Sequence, residues 1–364
     1  MTGKLRHFVF PWAALFLWTA AFAIPAYCGP AQLRGAGATF PLPFYTAIFD
    51  VYRTQSGVEV AYEGVGSSGG VRKLLDRSVD FAASDAFVGR TWTKEVRSRV
   101  LQIPTCLGGV ALAYNLAGNP ALRLDPDVIS DIFLGRITMW DDPRIATANP
   151  GVALPSAPIR VVHRQEGSGT TFIFSEYLTK VSPEWRERVG AGQSLRWPVG
   201  QGAKANAGVA GLLRQTPNAI GYVELIYALG NGMTTAAIRN RSGRYVLPTT
   251  TSIGLAVPET IPDDTDVSLT DTPAAGGYPI SSFTWLAFFR EQNYEGRSRQ
   301  RADELVRLLW WMIHDGQKHA LQLRYVPLPH VAVKKSERIL ESATFDGQPL
   351  LKGLREGAPE RAAR

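Results

Sequence analysis

Cysteine and histidine are scarce in this chain, and their scarcity excludes two kinds of site. Of 364 residues, 2 are cysteines and 5 are histidines. Cys28 lies in an N-terminal leader and Cys106 lies in an apolar run, so the sequence predicts no structural disulfide. The histidines have no paired spacing beyond His314 and His319, which is too few ligands for a metal site. We therefore expect no metal, and the chain is predicted to need no other cofactor.

Blocks of like charge are also missing. The chain has 39 Lys and Arg residues against 32 Asp and Glu residues, a formal net charge of +7, and the basic residues are scattered along its length. Nucleic-acid-binding proteins concentrate such residues, so we expect no nucleic-acid partner. A mildly basic surface suits an anionic ligand. The length and the 45% hydrophobic content predict a globular protein with enough core for two domains.

One long hydrophobic run is present, and it lies near the N-terminus. Basic residues precede an apolar run at residues 8–24, small residues follow it, and no stop-transfer charges come after it. This pattern is typical of a secretory signal peptide, which we place at residues 1–31. The mature chain is then exported to the periplasm. A lipid anchor on Cys28 is not expected, because the bulky Tyr27 directly precedes it.

The rest of the chain alternates short apolar runs with helical patterns. Strands are predicted at 58–62, 79–83, 107–114, 159–162, 219–223 and 283–289, and helices at 44–52, 71–75, 128–134, 172–180, 209–213 and 302–313. Strands separated by helices favour a parallel sheet covered on both faces, so the predicted fold class is α/β. The pattern weakens at 240–277, where we expect surface loops. Residues 351–364 carry no motif and are predicted to be a disordered tail.

Three loops of similar composition precede predicted helices, and two of them follow predicted strands. The loop at residues 164–172 begins with Arg164, and like the loops at 35–40 and 64–70 it is rich in glycine and small residues. Such loops let the backbone approach a ligand and aim free N–H and O–H groups at one point. Arg164 can add a bidentate fork to an oxyanion. One such loop is most often a helix cap and a turn, but three together predict a shared anionic ligand.

The loop at 64–70 also matches a cofactor pattern. Gly64, Gly66 and Gly69 have the spacing of a dinucleotide-binding fingerprint, with Asp85 about twenty residues further on. Export argues against this interpretation, because a soluble nicotinamide cofactor would not be supplied outside the cytoplasm. It also leaves the other two loops without a role.

The same loop places Ser68 at the centre of a Gly-x-Ser-x-Gly sequence, the nucleophile elbow of α/β-hydrolases. Such an enzyme needs an acid and a histidine later in the chain, and His314, His319 and His330 are available. None of them lies in a motif that would place it beside Ser68. An exported serine hydrolase or phosphatase therefore stays open as an alternative function.

Several motifs, taken in order, resemble those of the phosphate-binding protein of the high-affinity phosphate ABC transporter. The resemblance is strongest at residues 35–41, 66–70, 83–86 and 164–170, and it continues at 134–137, 140–142, 197–200 and 219–224. It implies a two-lobed periplasmic binding protein fold of type II, in which each lobe is a mainly parallel sheet flanked by helices and the chain crosses twice at the hinge. The implied division is 32–112 with 280–350 for lobe I, and 113–279 for lobe II.

The resemblance also implies a binding site. By analogy, the phosphate-binding residues are Thr39, the backbone of Phe40, Ser67 and Asp85 from lobe I, and Arg164, Ser168, Gly169 and Thr170 from lobe II. Glu166 is implied as a supporting residue beside Arg164. Members of the family often carry Asp at this position. A glutamate can still orient the guanidinium, although the longer side chain alters the geometry of the pair.

Asp85 has a chemical role that does not depend on the resemblance. Near neutral pH phosphate still carries a proton, and sulfate does not. A buried Asp85 carboxylate would accept a hydrogen bond from that proton, whereas sulfate would meet it as a second acceptor with nothing to donate. An unpaired buried polar group costs roughly 1–3 kcal/mol, and more when it is charged, so Asp85 is predicted to discriminate between the two anions.

The predicted function is therefore that of an exported, non-catalytic receptor for inorganic phosphate, which delivers its ligand to the membrane subunits of an ABC permease. Arsenate, a near isostere, is expected to bind as well, and we expect a monomer. A phosphate-sensing or surface role for the same fold stays open, because the sequence does not distinguish it from transport.

Overall fold

The computed structural model describes residues 32–351 except 88, 90 and 91. The predicted signal peptide and residues 352–364 of the predicted tail lie outside the described residues. Leu351, the first residue of that tail, is buried. Within the described ranges, no helix combines the length and the hydrophobicity of a bilayer-spanning segment.

Strands and helices alternate along most of the described chain, which confirms the α/β class. The strands are β1 (Gln32–Gly37), β2 (Glu59–Gly64), β3 (Phe81–Ser84), β4 (Val100–Asn115), β5 (Arg123–Leu124), β6 (Arg160–Arg164), β7 (Gln201–Ala203), β8 (Ala219–Glu224), β9 (Thr234–Thr235), β10 (Ala237–Arg239), β11 (Tyr245–Val246), β12 (Ser281–Phe289), β13 (Thr344–Phe345) and β14 (Gln348–Pro349). The helices are α1 (Leu42–Ser56), α2 (Ser67–Leu75), α3 (Lys94–Arg99), α4 (Pro126–Phe133), α5 (Pro143–Ala148), α6 (Gly169–Val181), α7 (Pro183–Arg188), α8 (Ala205–Gln215), α9 (Leu225–Gly230), α10 (Thr250–Gly254), α11 (Arg299–Ile313) and α12 (His330–Glu341).

One sheet runs through the molecule in the order β2-β1-β3-β12-β4-β8-β6-β7, and β9 pairs with β4. Towards its two ends the strands are parallel: β1 pairs with β2 and β3, and β6 pairs with β7 and β8. The central strands β12 and β4 are antiparallel to their neighbours. The sheet is therefore mixed, with two parallel groups joined by an antiparallel centre.

Strand β4 joins the two halves of this sheet. Residues 100–109 pair with β12, and residues 110–115 pair with β8. Its side chains are buried over nearly the whole length, as expected of a strand covered on both faces. The change of partner falls between Gly109 and Val110, near the predicted boundary at 112/113. The assignment of the lobes to particular residue ranges stays a prediction.

Helix α1 anchors the first half of the sheet. It buries Phe44, Tyr45, Ile48, Phe49 and Tyr52, which recur at the spacing of one helical face. Full burial of such a side chain contributes about 1.5–3 kcal/mol, so this face fixes the helix firmly on the sheet. The loop between β1 and α1 is thereby held in one position.

Helix α2 packs unusually close to β1. A Cβ added at Gly70 would lie 2.3 Å from the Cα of Gly37, so no other residue fits there without a backbone shift. This contact positions the first turn of α2 beside the carboxyl ends of β1 and β3. The carboxyl ends of parallel strands share one edge of a sheet, which is where open α/β sheets bind their ligands.

Candidate anion-binding site

The residues predicted from the loops lie together, buried between the two halves of the sheet. Their exposed fractions are Thr39 3%, Phe40 0%, Ser67 0%, Asp85 2%, Arg164 2%, Ser168 0% and Thr170 0%. Gly169, the first residue of α6, is also buried. The Gly169 amide donates a hydrogen bond across the junction to Ser67 Oγ at 3.1 Å. The loops therefore meet in one place, although which residues contact a ligand stays a prediction.

Four hydroxyl groups at this junction serve as hydrogen-bond acceptors. Ser67 accepts from Gly169, Ser168 accepts from the Thr171 amide at 3.1 Å, and Thr39 and Thr170 each accept from Asn206 Nδ2 at 3.1 Å. Each hydroxyl also has one proton to donate. No described residue accepts any of these four protons, so all four are available to an anion.

Backbone amides add to this donor set. The N–H groups of Phe40 and Thr170 have no acceptor within the part of the chain that the structure describes. Thr170 lies in the first turn of α6, where amides have no intrahelical partner and the helix dipole favours an anion. The Gly169 amide, by contrast, is engaged by Ser67.

Arg164 ends strand β6, and its side chain is 1% exposed. Its Nε atom donates to Glu166 Oε1 at 3.0 Å, Nη2 donates to the same oxygen, and Nη1 donates to Thr170 Oγ1 at 3.2 Å. A guanidinium has about five N–H donors. The described contacts use three, one each from Nε, Nη1 and Nη2. One N–H on each Nη atom is left, which is a fork for an oxyanion.

Glu166 concentrates its contacts on one oxygen. Oε1 accepts from Arg164 and from the Ala205 amide at 3.0 Å, while Oε2 is buried with no partner among the described residues. Burial acts to raise the pKa of Glu166, but the hydrogen bond and charge of Arg164 outweigh it and hold that pKa below its usual value. Glu166 is therefore ionised near neutral pH and fixes the orientation of the guanidinium.

Asp85 follows β3 and lies beside the start of α6. Its Oδ1 atom accepts from Thr284 Oγ1 at 2.8 Å. A Cβ added at Gly169 would lie 2.5 Å from Asp85 Oδ2, so this second oxygen faces the first residue of α6. Burial raises the pKa of Asp85 to about 7, although the hydrogen bond from Thr284 and the charge of Arg164 act in the opposite direction. Near neutral pH this carboxyl group can therefore either accept or donate a hydrogen bond.

Comparison with known proteins places this chain in a family. Residues 27–314 match the PBP superfamily domain. The chain is 37% identical over 311 residues to the phosphate-binding protein PstS of Xylella fastidiosa, covering 84% of both proteins. It is also 37% identical over 325 residues to PstS of Methanocaldococcus jannaschii, covering 83% of this chain and 84% of that one. The chain belongs to the PstS family of phosphate-binding proteins. The resemblance indicated by the sequence motifs is thereby confirmed.

A solved structure supports the same fold. The phosphate-binding protein from Stenotrophomonas maltophilia superposes with a TM-score of 0.64 at 19% sequence identity, covering 88% of this chain and 96% of that one. This likeness agrees with the predicted two-lobed periplasmic binding protein fold. The sheet also agrees with it, because strand β4 runs from one half into the other.

Asn206 is a site residue that the sequence analysis missed. It lies in the first turn of α8 and is completely buried. Its side-chain amide bridges Thr39 and Thr170, which belong to different halves, and its Oδ1 atom accepts from the Glu224 amide at 3.0 Å. The only signal in the sequence was its position at the end of a polar, glycine-rich run before a helix, which is too general to single it out.

Ser68, the candidate nucleophile, has a structural contact instead of a base. Its hydroxyl donates to Gln193 Oε1, and its amide donates to the Gly167 carbonyl at 3.4 Å. Two of the described histidines are engaged elsewhere: His163 stacks on Trp197 with ring centroids 4.8 Å apart, and His314 pairs with Glu337. No described histidine has a hydrogen bond with Ser68. Through its contacts with Gln193 and Gly167, Ser68 instead links the two halves.

Proposed function

We propose that this chain binds inorganic phosphate between the two halves of its sheet, with Thr39, Phe40, Ser67, Asp85, Arg164, Ser168, Gly169 and Thr170 forming the site and Glu166 supporting it. The observation that carries the proposal is one buried acid, Asp85, next to buried O–H and N–H groups whose protons no described residue accepts. Protonated phosphate has four oxygens that accept hydrogen bonds and a proton that needs an acceptor. The free hydroxyl, amide and guanidinium donors match the oxygens, and Asp85 Oδ2 matches the proton.

We further propose that the protein is a receptor without catalytic activity, exported to the periplasm as a monomer. It delivers phosphate to the membrane subunits of an ABC permease. Isothermal titration of the full chain should give saturable binding of one phosphate per chain, and of arsenate as well. The proposal fails if phosphate does not bind. Delivery is tested separately by the ATPase activity of the permease in proteoliposomes, which the phosphate-loaded receptor should stimulate.

Ser68→Ala separates the receptor from a serine hydrolase. We expect no hydrolysis of carboxylic esters or phosphomonoesters by the wild-type protein or the variant, because no described base contacts Ser68. Phosphate affinity should fall by no more than about tenfold, since one hydrogen bond between the halves is lost. Turnover by the wild type that disappears in Ser68→Ala would favour the enzyme.

Gly169→Ala should prevent the two halves from meeting. The new Cβ would lie 2.5 Å from both Asp85 Oδ2 and Ser67 Oγ, and both side chains are buried and cannot move aside freely. We expect phosphate affinity to fall by roughly five- to 150-fold, as an overpacked contact typically costs roughly 1–3 kcal/mol.

Gly211→Ala is the matched control for this variant. Gly211 also lies in a helix, and a Cβ added there meets nothing within 4 Å. It should leave affinity unchanged and should not lower thermal stability. Equal affinity of Gly169→Ala and the wild type would show that the closed arrangement is not needed for binding.

A further inference from the structure

A polar cavity of about 610 Å³ lies in the first half of the sheet, at the edge away from the candidate anion site. It is lined in part by Asp80, which directly precedes β3, whereas Asp85 follows that strand. At the usual rise of an extended chain, five residues separate the two positions by roughly 16 Å. The cavity is therefore separate from the candidate anion site.

Positive charge dominates this cavity. Its lining includes four arginines, Arg34, Arg77, Arg297 and Arg301, against the two acids Asp80 and Glu295, which leaves an excess of two positive charges. Such an excess in a concave site attracts anions.

Asp80 and the groups that donate hydrogen bonds to it form a fixed frame at one side of the cavity. Arg301 donates to it through Nε and Nη2 at 2.8 Å each, Arg297 donates through Nη1, and the Arg34 amide donates at 2.6 Å. Burial acts to raise the pKa of Asp80, but the hydrogen bonds from Arg301 and Arg297 outweigh it and keep that pKa below its usual value. The frame therefore stays charged and rigid near neutral pH.

Several hydrogen-bond donors that line this cavity have no strong partner. The Nε atom of Arg297, whose side chain is 6% exposed, and the hydroxyl of Tyr294 are buried without a hydrogen bond to any described residue. The Arg34 side chain has no acceptor within the described ranges. Arg77 pairs with Glu295 at 2.8 Å, but their side chains are 36% and 61% exposed, so the pair is weak and can open.

We infer that this cavity binds clustered phosphate groups. Guanidinium groups match phosphate oxygens in geometry, and unpartnered buried donors are normally satisfied by an acceptor. The cavity of about 610 Å³ is about twenty times the roughly 30 Å³ that one water molecule occupies in the liquid, so it has room for more than one tetrahedral ion. The shared chemistry is found in a soluble polyphosphate and in the anionic head groups of a lipid surface.

Binding of inorganic tripolyphosphate to the full chain tests this inference. The titration is done in excess orthophosphate, so that any site between the two halves is already occupied. We expect saturable binding that weakens at least about tenfold in Arg34→Ala and in Arg77→Ala, each of which removes an exposed guanidinium without touching Asp80. Arg188→Ala is the matched control, because Arg188 is also exposed and pairs with an acid, Glu184, at 2.8 Å.

A second arm identifies the source of the phosphate groups. Vesicles of phosphatidylglycerol and of phosphatidylcholine are sedimented with the wild type and with the same variants. Retention on phosphatidylglycerol vesicles that depends on Arg34 and Arg77 supports the site with a lipid source, and binding of tripolyphosphate alone supports it with a soluble source. The inference is overturned if neither probe binds saturably, or if Arg188→Ala weakens binding as much as Arg34→Ala and Arg77→Ala.

Discussion

Asp85→Asn is expected to abolish most of the discrimination between phosphate and sulfate. The variant keeps Oδ1 as the acceptor for Thr284, which lies 2.8 Å away in the wild type, so the new amide nitrogen takes the place of Oδ2 beside Gly169. In the complex with sulfate, the carboxylate oxygen that faces an acceptor oxygen of the ion is thereby replaced by a hydrogen-bond donor. About two pH units above the Asp85 pKa of about 7, sulfate should bind about a hundredfold more tightly than to the wild type, because each pH unit above that pKa adds about 1.36 kcal/mol to the cost of protonating the wild-type carboxyl group.

Phosphate should respond much less to the same change. Its proton can still find the Asn oxygen if the amide turns, so we expect the affinity to change by no more than about tenfold. Isothermal titration with both anions measures the two effects. The control is Asp50→Asn, because the Asp50 side chain is 69% exposed on α1 and should influence neither anion. An unchanged affinity ratio in Asp85→Asn would remove Asp85 from the account.

Arg164→Ala is expected to weaken the binding of every oxyanion to a similar extent. The guanidinium is buried and holds Thr170, and the variant would lose both its charge and the two N–H groups that no described residue accepts. Truncating one member of a buried, hydrogen-bonded charge pair costs roughly 2–5 kcal/mol, so phosphate, arsenate and sulfate should each lose at least about thirtyfold in affinity. The ratio of phosphate to sulfate should change little, because Asp85 is intact.

Two further variants control this result. Arg160→Ala removes an exposed arginine at the other end of the same strand and should leave affinity unchanged. Arg164→Lys keeps the charge but not the planar fork, so its affinity should lie between those of the wild type and Arg164→Ala. If Arg164→Ala binds phosphate as tightly as the wild type, the guanidinium does not contact the ligand.

Much of this architecture could be predicted because the signals are local. The glycine-rich loops at 35–40, 64–70 and 164–172 each follow a strand and open a helix, and such loops face one edge of a parallel sheet. Composition alone was therefore enough to predict that distant parts of the chain meet. The α/β class followed in the same way from the alternation of strand and helix patterns.

The contacts between the halves could not be predicted. Asn206 and Gln193 are ordinary polar residues in the sequence, and only the packed structure brings them against Thr39 and Ser68. Thr284 is equally inconspicuous within the apolar run of β12, yet it fixes one oxygen of Asp85. Their roles depend on tertiary position, which a linear pattern does not encode.

Some boundaries were wrong for identifiable reasons. Strand β4 was predicted to begin at Leu107, but it begins at Val100. Pro104 suggests a break because proline cannot donate to a sheet, and the structure accommodates it with a register shift opposite Thr284 and Trp285. Helix α12 was missed altogether. It begins directly after Pro329, and its buried residues are few.

The pH dependence of sulfate binding to the wild-type protein tests the role of Asp85 most directly. Sulfate should bind only when Asp85 is protonated. Burial raises the Asp85 pKa to about 7, so sulfate affinity should be level below that pH and fall about tenfold per pH unit above it. Phosphate affinity should change far less, because the ion keeps a proton over this range. A sulfate affinity that is independent of pH, or that matches the phosphate affinity above the Asp85 pKa, would contradict the account.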